Sequence, residues 1–169
     1  IALAGCAGKG EVIPLQVHPT VTGSERAAKQ KAAARVAIGS FQDDRSHKTG
    51  LGFRTHLWGG VTYFDVPEGR PADLVAQALT EYLAAKGWQV TKRGAGDNEA
   101  DIVLTGKLLD FSVHAKSRVG FTEVMTKTKL ALQAQNVADG STTRMTLNGS
   151  GDDEVFWFDP EDAQGLLND

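Results

Sequence analysis

Asp101-Ile102-Val103-Leu104-Thr105-Gly106-Lys107-Leu108-Leu109-Asp110-Phe111-Ser112-Val113 is the stretch whose reading decides the fold. Its apolar residues recur with a period close to two over a length that fills a full strand, and the Leu108-Leu109 pair interrupts that period, so the segment predicts a long strand with a register shift at the pair. Downstream, Val124, Thr126, Thr128, Leu130, Leu132 and Ala134 alternate with Glu123, Lys127, Lys129, Gln133 and Gln135, which predicts a second strand with one face buried and one wet. Asp139-Gly140 is a turn signal, and residues 142–148 read as the returning strand with Met145 and Leu147 inward.

Working outward, the period changes from two to that of a helix. Pro71 suits a first helical position, Leu74, Val75, Ala78, Leu79, Tyr82 and Leu83 form one stripe, and Gly87 supplies the stop before a strand starting at Trp88-Gln89-Val90. Further upstream, Arg35-Val36-Ala37-Ile38-Gly39-Ser40-Phe41 reads as a buried strand closed by a turn at residues 42–45. At the other end Asp159 caps a short helix opened by Pro160, with Glu161 and Asp162 on the positive end of its dipole and Leu166 and Leu167 to pack it. The expected fold is α+β: a mixed or antiparallel sheet with a long meander, and helices packed on one face.

Before Arg35 the pattern is weaker. Residues 7–22 read as a tether with an edge strand at Leu15-Gln16-Val17-His18, since Pro14 and Pro19 exclude a central one, and Ser24 opens a short helix over 24–34. The expected organisation is a short N-terminal segment over 1–5, a tether and edge segment over 6–34, and a single α+β domain over 35–169. The chain's 169 residues, 41% of them hydrophobic and 23% charged, suffice for one domain with a sizeable core.

A net charge of −3 and the lack of a polybasic run point away from nucleic acid. His18, His47, His56 and His114 show no pair at ligand spacing, and with one cysteine in the chain neither a metal nor a cofactor is expected. Lys48-Thr49-Gly50 is similar to the Lys-Thr-Gly element of penicillin-binding enzymes, but no serine here is followed three residues later by lysine. Asp152-Asp153-Glu154 lacks the alternating spacing of a calcium loop and reads as a solvated turn. No catalytic residue is expected.

The segment Leu3-Ala4-Gly5-Cys6 resembles the lipobox at which a bacterial lipoprotein precursor is cleaved and acylated. Small residues at Ala4 and Gly5 admit the backbone to a protease cleft, and the Cys6 thiol is the group that takes the lipid. This resemblance implies that residues 1–5 are a signal-peptide remnant, that residues 6–34 are a lipidated N-terminus, tether and edge segment, and that the chain has a membrane partner reached through lipid on Cys6. Ala7, in place of the aspartate that commonly signals inner-membrane retention, favours the outer membrane facing the periplasm. With the segment Val17-His18-Pro19-Thr20-Val21-Thr22, the helix ending Lys86-Gly87-Trp88-Gln89-Val90, and the meander from Asp101 through Gly151 into a terminal helix, the chain resembles the YajG-type family of bacterial lipoproteins. Part of the pattern, Val36-Ala37-Ile38 followed by a helix and Ala100-Asp101-Ile102-Val103-Leu104-Thr105-Gly106, is also similar to TolB-like and curli-secretion lipoprotein domains. The resemblance carries over no catalytic residues.

Residues 42–69 form a long excursion holding His56, Leu57, Trp58, Gly59, Gly60, Val61, Thr62, Tyr63 and Phe64. It reads either as a hairpin on the sheet edge turning at Gly59-Gly60, or as a partner-binding loop with Leu57, Trp58, Tyr63 and Phe64 as anchors. Lys127 and Lys129, with Lys107, Lys116, Arg118 and Arg144 near them, are candidates for an anionic ligand; solvent-facing strands also carry lysine simply to prevent edge pairing. The expected function is a non-catalytic binding or envelope-assembly module with an envelope protein as partner. The alternatives are a cell-wall hydrolase, or a protein binding anionic glycan or lipid.

Overall fold

The computed structural model describes residues 9–18, 34–66, 70–92 and 100–168. Cys6 with its lipobox and the expected helix over 24–34 lie outside them.

The spine is β6 (Ile102–Ser117), whose length lets it serve more strands than an ordinary strand does. One of its edges pairs antiparallel with β7 (Thr122–Asn136), and β7 pairs in turn with β8 (Thr142–Val155) at the end of the sheet. The other edge is shared end to end. β2 (Arg35–Asp43) runs parallel along Ile102 to Leu108, and β3 (Gly52–Thr55) takes over from Val113 to Lys116. Outside β2 lies β5 (Gln89–Lys92), parallel to it; outside β3 lie β4 (Val61–Asp65), antiparallel, and then β1 (Lys9–Pro14), parallel to β4. The eight strands curl into a half-barrel.

The expected register shift is present. Leu108 faces Leu130 and Asp110 faces Lys129, which leaves Leu109 as the extra residue. The inward positions of β6 accordingly change parity, from Leu104 and Leu108 before the bulge to Phe111, Val113 and Ala115 after it, while β7 keeps Val124, Thr126, Leu130 and Leu132 inward throughout. Without the extra residue, one half of β6 would turn its apolar side chains to solvent.

Where β2 ends and β3 has not begun, the edge of β6 would be left unpaired, and Arg45 fills the gap. The Asp44 amide donates to the Leu108 carbonyl at 2.9 Å and the Val113 amide donates to the Leu51 carbonyl at 2.9 Å. Between them the Arg45 Nη1 donates to the carbonyls of Phe111 (3.3 Å) and Gly50 (3.0 Å), while Nε and Nη2 grip both carboxylate oxygens of Asp43 at 2.9 and 3.0 Å. The buried guanidinium is thus fully paired, as a buried charge must be.

Both helices cover the same face. α1 (Pro71–Ala85) starts at Pro71 and stops at Gly87, and its Ala72, Leu74, Val75, Leu79 and Leu83 pack on the core over β2, β5 and β6. Tyr82, expected in that stripe, is instead half exposed beside Lys86. α2 (Pro160–Asn168) lies over β7 and β8, where Leu166 rests on the open backbone of Gly151. Its start is capped reciprocally: the Glu161 amide donates to Asp159 Oδ1 and the Asp159 amide to Asp162 Oδ2.

Four expectations are corrected. The edge strand is Lys9–Pro14 and not Leu15 to His18; Leu15 and Val17 lie just past it with their side chains in the core. The excursion is a hairpin, β3 and β4, turning at Gly59-Gly60, but it is inserted between β1 and β6 and does not sit on the sheet edge. Met145 and Leu147 do face the core side opposite Leu132 and Leu130, yet they are half exposed because β8 has no outer neighbour among the described residues. Asp152-Asp153-Glu154 belongs to β8, which runs on to Val155 instead of ending near Asn148.

Two consequences can be measured. A Cβ on Gly106 would fall 2.4 Å from the Phe41 ring, so Gly106→Ala is expected to cost about 1–3 kcal/mol in denaturant unfolding. Adding Phe41→Leu should recover part of that loss, whereas additive costs would show that the ring and the glycine are not coupled. The second concerns pH. The side-chain hydrogen bond from Arg45 holds the Asp43 carboxyl below its ordinary pKa, against the upward push of burial. A depressed carboxyl stabilises the fold above its unfolded pKa of about 3.9, and the contribution is lost as pH falls through the folded value. The stability gap between wild type and Asp43→Asn is therefore expected to be largest above about pH 5 and to close in strong acid; a pH-independent gap would refute the assignment.

Candidate functional site

The strands bring three connections to one end of the half-barrel. β3 and β6 run toward this end, while β4 and β7 start from it. In the β3–β4 turn the His56 amide donates to the Gly60 carbonyl and the Gly59 amide to the His56 carbonyl, both at 3.2 Å. Gly59 and Gly60 take φ of 87° and 96°, which side chains with a Cβ resist, so the turn closes tightly and lifts Leu57-Trp58 to its tip. In the β6–β7 turn the Arg118 amide donates to the Phe121 carbonyl at 2.7 Å, with Val119 at the tip. Between β8 and α2, Phe156 and Trp157 stand edge to face with ring centroids 5.9 Å apart.

The tips are highly exposed: Trp58 91%, Trp157 85%, Val119 83% and Phe156 78%. Phe158 turns the other way and holds the loop down, with its ring 5.9 Å from the buried Phe64 ring and 4.3 Å from the Arg54 guanidinium. Beneath the tips lies an open cavity of about 830 Å³ with a polar floor of Glu11, Arg54, His56, Thr62, Ser117 and Thr122. His56 Nε2 is 2.7 Å from Thr62 Oγ1, and Arg54 Nε donates to Ser117 Oγ at 3.1 Å. Among the described residues no carboxylate pairs with Arg54. Burial lowers its pKa, but a guanidinium remains charged at neutral pH.

The four aromatic and apolar candidates from the excursion are divided. Leu57 and Trp58 belong to this pole. Tyr63 lies on the outer face of the sheet, half exposed, in a row with Val12, Phe53, His114 and Met125 set by strand register, and the Phe53 and His114 rings meet at 4.9 Å. Phe64 is fully buried and is a core residue, not a contact residue. Phe156, Trp157 and Val119 were not singled out from sequence, although Phe156-Trp157-Phe158 directly before the Asp159-Pro160 cap is an aromatic run of which only Phe158 packs on the core.

Lys127 and Lys129 share the exposed outer face as expected. The other cations do not converge on them: Lys107 is paired with Asp44 at 2.9 Å, Arg118 with Glu123 at 3.0 Å, and Arg144 donates to Gln133. Lys129 itself faces Asp110 across the register. His47 and His114 line a second cavity, of about 420 Å³, on that outer face. Among the described residues no group of three or more His, Cys, Asp or Glu is placed to hold a metal ion, and no helix is long and apolar enough to cross a membrane.

No family model matches the chain, and no curated protein matches it. Solved structures do. A Xanthomonas campestris protein of the family model DUF330 aligns over 94% of this chain and 86% of its own at 8% identity, with a TM-score of 0.57. A second, uncharacterized protein aligns over 95% of this chain and 90% of its own at 9% identity, with a TM-score of 0.51. Lipoprotein GNA1162 of Neisseria meningitidis aligns over 79% and 90% at 10% identity, with a TM-score of 0.43. The first two matches establish a shared fold.

If the pole is a free surface, its tips can be removed without harming the fold. Trp58→Ala and Trp157→Ala are each expected to shift the melting temperature by no more than about 2 °C, whereas Phe64→Ala should cost about 3–5 kcal/mol. A collapse of the melting temperature in Trp58→Ala would return that side chain to the core.

Proposed function

We propose that this chain is an acylated lipoprotein of the bacterial envelope, similar to the YajG type, anchored through Cys6 and working as a non-catalytic binding or assembly module. The observation that carries this reading is the direction of β1. Its first residue, Lys9, is the register partner of Val61 at the aromatic pole. Cys6 stands three residues before Lys9, so a lipid on it would be tethered no more than about 11 Å from the end of β1 that lies at this pole. The outer membrane, facing the periplasm, is the proposed site of attachment.

An envelope protein is the proposed second partner, and the outer face of the sheet offers it a surface. There Val12, Tyr63, Phe53 and Met125 form an exposed row on the side that neither helix covers. Such aromatic anchors are the residues that dominate protein interfaces when desolvated.

The anchor is tested directly. A precursor expressed in bacteria with labelled fatty acid should incorporate label in the wild type and not in Cys6→Ser. Equal labelling of the two would remove the lipoprotein reading.

A further inference from the structure

We propose that the aromatic pole is a bilayer contact in its own right: Trp58, Val119, Phe156 and Trp157 enter the membrane interface, and Arg54 receives the phosphate of a lipid headgroup in the cavity behind them. This deepens the lipoprotein reading and, for its orientation argument, rests on it.

The shape of the pole selects a fluid acceptor over a protein. Its four apolar side chains stand on three separate connections and project outward, nearly as exposed as in an extended chain. Protein hot spots instead sit at the centre of a packed patch and fill preformed pockets. Tips that protrude independently need no shape complement, and a bilayer interface supplies apolar surroundings to each of them at once. The residue types fit as well, since tryptophan has an apolar body and a single N–H donor and concentrates at the headgroup level of membranes.

Chain geometry points the same way. β1 begins at this pole, and the three peptide units between Cys6 and Lys9 span at most about 11 Å whatever path they take. A lipid on Cys6 therefore holds the pole within reach of the bilayer. Two of the three connections, the β3–β4 and β6–β7 turns, are short and hydrogen-bonded, so insertion of Trp58 and Val119 requires little ordering of the chain.

Charge defines how the contact is made. Glu11 lines the cavity, and Glu123, Asp152, Asp153 and Glu154 lie on the strand ends behind the tips; of the cations there, Arg118 is paired with Glu123 and Lys116 faces that same residue in the register, so among the described residues no unopposed basic collar draws the pole to an anionic surface. Binding is then driven by burial of apolar surface and persists at high salt. The exception is Arg54. It is partly buried, with its guanidinium against Phe158 and one N–H on Ser117, and although Glu11 lines the same cavity, no carboxylate is paired with it among the described residues. A cation at the floor of an apolar-rimmed cavity matches a lipid phosphate whose acyl chains lie outside.

The experiment uses the full chain carrying Cys6→Ser, so that no acyl group contributes and failure of the anchor reading does not affect the outcome. Vesicles of phosphatidylethanolamine and phosphatidylglycerol are floated with the protein in high salt. Co-flotation is expected, and in single-tryptophan variants brominated lipid should quench Trp58 and Trp157 but not Trp88, which precedes β5 at the opposite end. Trp58→Ser with Trp157→Ser is expected to lower partitioning about tenfold or more while leaving the melting temperature in place. Arg54→Gln should lower it less, and only with phosphate-bearing lipids. No co-flotation, equal quenching of Trp88, or partitioning unchanged in the double variant would each overturn the proposal. So would capture of an envelope protein through these tips by a chain that ignores vesicles.

Discussion

The structure depends on β6 having more length than any one neighbour can pair with. Its β7 edge is satisfied by a strand of nearly equal length, but the opposite edge is divided between β2 and β3, with a stretch of β6 backbone between them. Unpaired carbonyls at the centre of a sheet are costly. Arg45 meets that cost with one side chain, and Asp43, the last residue of β2, neutralises the charge the repair brings in. The bulge at Leu109 falls in the same interval, so the parity change on β6 and the change of partner on its edge coincide. Both neighbours can then present apolar residues to one continuous core.

The divided edge also determines where the exposed surface lies. β2 stops level with Leu108, and the β3–β4 hairpin occupies the length of β6 that remains, so the hairpin turn is carried to the far end of the spine. β6 and β7 turn there because both are long, and β8, antiparallel to β7, must finish there. Three connections converge without being adjacent in sequence. The aromatic pole is a product of topology, and no local motif could have announced it.

That explains what was legible beforehand. Elements whose residues alternate or repeat over a long window could be read: the β6 bulge at Leu108-Leu109, the two faces of β7, the stripe of α1, and the Asp159-Pro160 start of α2. Leu15 and Val17 imitated a strand because they are buried at alternate positions, although the register with β4 ends at Pro14 and the last backbone bond to it is the one the Leu15 amide donates to the Asp65 carbonyl. β8 was read too short because its second half is Gly149, Gly151 and acidic residues. Gly151 makes room for Leu166 of α2, Gly149 brings no side chain, and the outward charges face water on an edge strand, so none of them carries the apolar alternation that marks a strand. Among the candidates in the excursion, Tyr63 and Phe64 are adjacent on one strand and so fall on opposite faces, one outward and one into the core. Only pairing could show that the segment was a strand with two sides.

The exposed apolar residues at the pole differ in kind from those at the sheet edge. Met145 and Leu147 are half covered, lie on the core side, and have Arg144 and Asp152 to Glu154 on the same strand to discourage edge pairing. Trp58, Val119, Phe156 and Trp157 are almost wholly exposed, and Phe158 beside them shows that the same loop can pack an aromatic ring on the core when the fold requires one. A chain under selection for solubility alone would carry polar residues at such tips. Their position beside the start of β1 supplies a physical reason to keep them. A lipid alone fixes a protein to a membrane but leaves its orientation free, whereas apolar tips gathered at one pole fix which end faces the bilayer. In the proposed arrangement the pole points at the membrane, and the outer face of the sheet, with Tyr63, Phe53 and Met125, stands at the side and stays accessible to a partner.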